Sequence, residues 1–220
     1  MALTLYYHPL ASFCWKVLIA LYENGTTFEK RVINLGDPAD KAALEELWPF
    51  AKFPALRDPA HQRDVAETSI IIEYLDRFWA GPQPLIPTDW DDALEVRLWD
   101  RVFDNHVQGP MQQIVADRMR NTRLDLTKER ATLLTAYRML DRHLASRTWV
   151  GRKMFSMADC AAAPALVYAS TLEPIPGELG RLGEYFERLL KRASFQRVLE
   201  EAKPYFQFYP FAENIPPQFR

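Results

Sequence analysis

Two short stretches decide how this chain is built: Lys52-Phe53-Pro54-Ala55-Leu56 and, soon after, Glu67-Thr68-Ser69-Ile70-Ile71-Ile72-Glu73-Tyr74-Leu75. The first reads as a strand entry with proline at its start. X-Pro bonds are the common place for a cis peptide, which costs roughly 0.5–1 kcal/mol there against about 3 elsewhere. A cis bond at Phe53-Pro54 would turn the Phe53 N–H and C=O out of the ladder, where an extended peptide could pair with them. A proline that merely opens an edge strand is the competing reading. The second stretch opens an apolar helix with an acid and two hydroxyls. Unpaired N–H groups and the positive end of the helix dipole favour an anion there. Thr68 can donate to a carboxylate and Glu67 can accept from an ammonium. Ordinary capping by Thr68 or Ser69 is the competing reading, although Ile71 and Ile72 stand where a reciprocal capping box needs Glu or Gln. Jointly the two stretches suit an extended peptide carrying a carboxylate and an ammonium on one carbon.

Working outward, residues 1–80 alternate strand and helix periods. Leu3-Thr4-Leu5-Tyr6-Tyr7 is a strand ended by His8-Pro9. Phe13 to Glu23 is helical, with Phe13, Val17, Leu18, Leu21 and Tyr22 on one stripe and Asn24-Gly25 as its stop. Phe28 to Ile33 is a second strand, and Asp37-Pro38 opens a helix through Leu47. Pro54 to Arg57 and Gln62 to Val65 form a hairpin around Asp58-Pro59-Ala60. Ser69 to Trp79 is a third helix with Ile70, Ile71, Tyr74, Leu75 and Phe78 inward. The order βαβαββα predicts an α/β layer with a mixed sheet. Residues 81–89, Gly-Pro-Gln-Pro-Leu-Ile-Pro-Thr-Asp, read as a linker. Beyond it only helical periods survive: Trp90 to Met119, Lys128 to Leu144, Met157 to Ser170, Glu178 to Lys191 and Phe195 to Ala202.

Composition narrows the function classes. The chain has 220 residues, 48% hydrophobic and 25% charged, enough for an ordinary core and no extensive disorder. A net charge of −2 gives no electrostatic case for nucleic acid or an acidic membrane. No apolar run approaches the roughly 18 residues of a membrane span, and Met1-Ala2-Leu3-Thr4 does not open like a signal peptide. Two cysteines, Cys14 and Cys160, and four histidines, His8, His61, His106 and His143, show no metal or disulfide spacing. The expectation is a reduced, cytoplasmic protein without a metal.

With the βαβαββα order, the proline-rich linker and the helical second half, these segments resemble the cytosolic glutathione S-transferase family, nearest in motif to serine-type classes such as zeta and theta. The resemblance runs over nearly the whole chain. It includes Trp48-Pro49 before Lys52-Phe53-Pro54, the Glu67-Thr68…Tyr74-Leu75 helix, and Phe155-Ser156-Met157-Ala158-Asp159, which looks like the family's helix cap in the second domain. It implies an α/β thioredoxin-like N-terminal domain (residues 1–80), the linker (81–89) and an all-α C-terminal domain (90–220) with the electrophile pocket. It implies a glutathione transferase, active in detoxification as a homodimer, that binds reduced glutathione as co-substrate and adds its thiolate to small hydrophobic electrophiles. Phe53 would then pair its backbone with the cysteinyl residue, Pro54 would be cis, Glu67 and Thr68 would hold the γ-glutamyl end, and Lys52 would meet the ligand's carboxylates.

The chemistry needs a thiolate. A thiol of pKa near 8.5 is only about 3% ionised at pH 7, and lowering it by about two units takes roughly 2.7 kcal/mol. One hydrogen bond to the charged sulfur contributes about 1.5–3 kcal/mol. The first-helix entry reads His8-Pro9-Leu10-Ala11-Ser12-Phe13-Cys14-Trp15-Lys16. Zeta, theta and beta classes carry their catalytic Ser or Cys where this chain has Ala11. Ser12 is therefore the catalytic candidate, with Tyr7 and backbone N–H groups as rivals. Cys14 sits at the resolving position of the related glutaredoxins without its partner, which argues for packing over redox chemistry; Cys160 reads as core. A zeta-like glutathione-dependent isomerase and a non-catalytic transferase-like interaction module are the alternative functions. The aromatic run Pro204 to Phe211 is either a clasp on the second domain or a wall of its pocket.

Overall fold

Leu3–Tyr7 (β1) is flanked by Phe28–Val32 (β2), parallel to it, and by Ala55–Asp58 (β3), antiparallel; Arg63–Ala66 (β4) completes a four-stranded mixed sheet in the order β2-β1-β3-β4. The structure is a computed structural model and describes residues 2–151 and 154–219. The parallel β1–β2 pair requires a crossover, supplied by Ser12–Glu23 (α1). Pro38–Leu47 (α2) and Thr68–Phe78 (α3) follow their strands. This is the thioredoxin-like α/β arrangement, followed by an all-helical second half.

Alternation along β1 separates two cores. Tyr6 packs with Ile33, Ala55 and the α2 residues Leu44 and Leu47, with Phe53 against them. Leu3 and Leu5 turn to the opposite face, where the buried residues of α1 and α3 supply the larger core. Every residue of α1 from Cys14 through Leu21 is buried, as expected of a helix apolar nearly all round. Gly25, at φ 65°, ends it.

The inward stripe of α3 differs from the expected one. Ile70 is 55% exposed and Phe78 39%, while Ile72 is fully buried. At about 100° per residue, a helix centred on Ile71, Ile72 and Leu75 rotates Ile70 outward. Its C-terminal half is anchored by two acids. Buried Asp58 accepts from Tyr74 Oη at 2.7 Å, Trp79 Nε1 at 2.6 Å and His61 Nδ1 at 2.8 Å. Asp76 accepts from the backbone N–H groups of Leu85 and Ile86 at 3.1 and 2.8 Å. Gly81 lies so close to Asn24 that a Cβ there would sit 2.4 Å from its Cα.

The chain divides into two units between Ile86 and Pro87. In the second, the expected single helix from Trp90 is Trp90–Val102 (α4), a π-helical turn at Phe103–Gln108, and Gly109–Arg120 (α5). Pro110 has no N–H to give the carbonyl four residues earlier and its ring crowds it, so the helix widens just ahead of it. Thr127–His143 (α6), Met157–Ser170 (α7), Gly180–Leu190 (α8) and Ala193–Ala202 (α9) complete the bundle. The α7 start carries the expected reciprocal cap between Ser156 and Asp159. The aromatic C-terminal run packs as a clasp: Tyr209 Oη lies 3.0 Å from Thr171 Oγ1, Asn214 donates to the Thr171 carbonyl at 2.8 Å, and Arg118 pairs with Glu213 at 2.9 Å while stacking on Phe211.

Candidate functional site

Strand register sets the singled-out segments side by side. Tyr6 pairs with Ala55 and Ala55 with Ala66. The next row is therefore Tyr7, Pro54 and Glu67, where the chain leaves β1 for α1, enters β3, and leaves β4 for α3. Two inter-strand spacings cover about 10 Å, the reach of about three extended residues. The row is thus the length of a tripeptide.

In the middle of that row the Phe53-Pro54 bond is cis. Among the described residues, no hydrogen bond reaches the Phe53 backbone N–H or C=O. Its ring stacks on His8, centroids 5.8 Å apart and planes 20° from parallel. Just upstream, Ala51 holds φ 49°, a left-handed conformation that costs an alanine about 1–2 kcal/mol. Lys52 is exposed and forms no ion pair among the described residues.

At one end lies the turn from His8 to Ala11, whose own donors are spent. The His8 N–H donates to Cys14 Sγ at 3.4 Å, the Leu10 N–H to His8 Nδ1 at 3.2 Å, and the Ala11 N–H to the His8 carbonyl at 3.0 Å. Trp15 Nε1 donates to the Pro9 carbonyl at 2.6 Å. What remains open is the start of α1. Ala11 occupies the cap position with no side-chain hydrogen bond to offer. The N–H groups of Ser12 and Phe13 and the Ser12 hydroxyl are without partners among the described residues. These three donors can serve an anion.

At the other end Glu67 stands at φ 66° and ψ 118° and gives α3 no side-chain cap. A non-glycine residue held there costs of order 1–3 kcal/mol, a feature that gathers at functional sites. Thr68 is buried, and its hydroxyl makes no hydrogen bond among the described residues. Lys16, buried in α1, donates from Nζ to Ser69 Oγ at 3.1 Å and ties the two helix starts together.

The remaining reactive side chains fall away from this chemistry. Burial pushes the Cys14 thiol far up, outweighing the His8 N–H that opposes it, so it stays protonated and is a poor nucleophile. Tyr7 is buried at the end of β1, Cys160 is buried in α7, and His106 is exposed on the π-helical turn. Among the described residues no group of three His, Cys, Asp or Glu could hold a metal, and no helix is long and apolar enough to cross a membrane. Sequence reasoning passed over His8, read only as a strand stop, and Asp58, read only as a turn residue. Their partners Phe53, Tyr74 and Trp79 lie too far along the chain for periodicity to signal the contact.

The chain is similar to known proteins in both sequence and fold. The family model of the glutathione S-transferase N-terminal domain matches residues 5–83, and that of the C-terminal domain matches residues 113–188. A stringent starvation protein A homolog from Coxiella burnetii is 28% identical over 205 residues, covering 91% of this chain and 93% of that protein. A probable glutathione S-transferase from Glycine max is 23% identical over 207 residues, covering 90% and 88%. Among solved structures, a glutathione S-transferase from Methylobacterium radiotolerans in complex with glutathione sulfonate superposes with a TM-score of 0.78 at 25% identity, covering 90% of this chain and 94% of that one. Two matched domains in the family's order, on a sheet whose register aligns the cis-proline loop with two open helix starts, make this chain a member of the cytosolic glutathione S-transferase family.

Proposed function

We propose that this protein is a glutathione transferase: it binds reduced glutathione along the Tyr7–Pro54–Glu67 row and adds the thiolate to a small hydrophobic electrophile. Residues 1–80 hold glutathione, 81–89 link, and 90–220 supply the electrophile pocket. The Phe53 N–H and C=O pair with the cysteinyl residue as an added strand. Glu67 accepts from the γ-glutamyl ammonium, and Thr68 with the α3 start takes its carboxylate. Lys52, exposed beside Phe53, meets the other carboxylate.

The cysteinyl sulfur then falls at the α1 start, where the Ser12 hydroxyl and the N–H groups of Ser12 and Phe13 stabilise it as thiolate. The thiol proton leaves to water, the sulfur lone pair forms the S–C bond, and the electrophile either keeps the electrons or expels a leaving group. A hydrogen bond to a charged group supplies about 1.5–3 kcal/mol and a helix start about 0.3–1. The loss of a hydroxyl at Ala11 therefore does not abolish the chemistry.

The observation that carries this reading is the open α1 start, three donors without partners at one end of a tripeptide-length row. Ser12→Ala should raise the pKa of bound glutathione by about 1–2 units, read from thiolate absorbance against pH. An unchanged titration assigns the sulfur to the backbone donors instead.

A second reading is favoured by Ala11 and by the similarity to a relative whose name is not that of a transferase, a stringent starvation protein A homolog: a non-catalytic transferase-like module that serves as an interaction domain. Calorimetry separates the two, since a pure interaction module releases no heat with glutathione. The cytoplasm and a homodimer belong to the transferase reading. Phe50 in the first unit and Trp90, Leu94 and Leu98, one stripe along α4, are large apolar side chains left mostly exposed, and such patches call for a partner. Sedimentation equilibrium reads the dimer.

A further inference from the structure

His8 makes contacts in two directions. Its backbone N–H and carbonyl and its ring Nδ1 fasten the turn into α1, through Cys14 Sγ, Ala11 and Leu10 respectively. The face of the same ring lies parallel to Phe53, with centroids 5.8 Å apart. Because the Leu10 N–H donates to Nδ1, the ring is neutral there and its proton sits on Nε2; half-burial, which lowers the imidazole pKa, agrees. Phe53 itself has little else to hold it. It belongs to no strand, and its backbone is unbonded among the described residues. Its ring is only partly buried, against the α2 core.

We infer that His8 is a positioning residue for glutathione: its ring, keyed into the β1–α1 turn and stacked on Phe53, fixes the Phe53 backbone relative to the donors at the α1 start. The inference rests on the transferase reading and adds a residue that touches neither the sulfur nor the peptide. One imidazole sets the spacing between the group that pairs the cysteinyl backbone and the group that takes its sulfur. Offset aromatic pairs prefer this separation and near-parallel arrangement, so the restraint is directional and not only steric.

Three variants test it. His8→Ala removes ring and acceptor, His8→Phe keeps the ring alone, and His8→Asn keeps an acceptor for the Leu10 N–H alone. Calorimetry should show His8→Ala binding reduced glutathione about tenfold more weakly. The kcat at saturating glutathione, with chlorodinitrobenzene as probe, should stay within about twofold of wild type, the split expected when binding geometry rather than chemistry is lost. His8→Phe should restore affinity and His8→Asn should not. Independently of any ligand, the Phe53 amide NMR line should broaden by conformational exchange in His8→Ala and His8→Asn and return to the wild-type width in His8→Phe. An unaltered Phe53 amide line in His8→Ala, or rescue by asparagine in place of phenylalanine, overturns the inference while leaving the transferase reading intact. Wild-type protein that gives no heat with glutathione overturns the transferase reading, and the ligand half of this inference with it.

Discussion

The start of α7 and the starts of α1 and α3 are built to opposite ends: the first is buried throughout, whereas Ala11 and Phe13 are half-buried and Glu67 is exposed. At α7 the Asp159 carboxylate accepts from the Ser156 N–H and Oγ, both at 2.9 Å, from the Val150 N–H at 3.1 Å and from Tyr185 Oη at 2.7 Å. At α1 and α3 the cap residues are Ala11 and Glu67, and neither offers its helix a side-chain hydrogen bond. A missing cap costs about 0.5–2 kcal/mol. The second unit thus uses its helix start to hold itself together. The first forgoes stability at two starts, which on the proposed function a bound anion would recover.

The sharpest way to break this contrast is Asp159→Ala, which strips four donors of one acceptor. It should cost about 3 kcal/mol or more, read by thermal unfolding, while glutathione affinity of the folded fraction is unchanged. A loss below about 1 kcal/mol would mean the α7 start is no better closed than the others. Next comes Asp58, which anchors the far half of α3. Burial would raise its carboxyl, but hydrogen bonds from His61, Tyr74 and Trp79 outweigh that and hold it at about 2, below the ordinary 3.8. Its stabilisation is present above the unfolded pKa and lost as pH falls through the folded one. The protein should therefore lose about 2 kcal/mol between pH 5 and about pH 2 from this group alone. Denaturant titrations of Asp58→Asn should show that part of the slope gone.

Thr68→Ala inverts the α7 result. Glutathione should bind about tenfold or more weakly, with the ligand-free melting point nearly unmoved. A comparable drop in stability would reveal Thr68 as an ordinary cap and remove the contrast. The smallest effect belongs to Ala51→Gly. At φ 49° glycine avoids the Cβ penalty, although it loses more freedom on folding. The net gain should be about 0.5–1 kcal/mol by chemical denaturation, and a loss would mean Ala51 contributes packing its conformation does not reveal.

The features legible in the sequence were those with local causes. Strand and helix periods placed every strand and most helix ends within a residue or two, because alternation and Pro or Gly punctuation are short-range. Phe53-Pro54 and the α3 entry stood out because proline and a Glu-Thr pair are chemically unusual at those places. The outward turn of Ile70 was hidden because three successive isoleucines fit two stripes equally well, and packing against α1 chose between them. The Asp58 and His8 contacts join residues far apart in sequence, so no window on the chain contains both partners. The open state of the α1 start follows from a side chain that Ala11 lacks, which the sequence does display; that the turn before it spends its own donors depends on backbone geometry no residue type announces.

The widened turn at Phe103–Gln108 has a consequence for the evolution of the helical half. A π turn holds one residue more than an α turn, so the faces before and after it are out of phase by about 100°. The exposed row of Trp90, Leu94 and Leu98 therefore does not run on into α5 along the same side. Removing one residue from this turn would leave a smoother rod with every downstream side chain re-aimed, whereas a removal in the linker shortens only a tether. Lineages should vary in length at the tether and hold their count inside the rod.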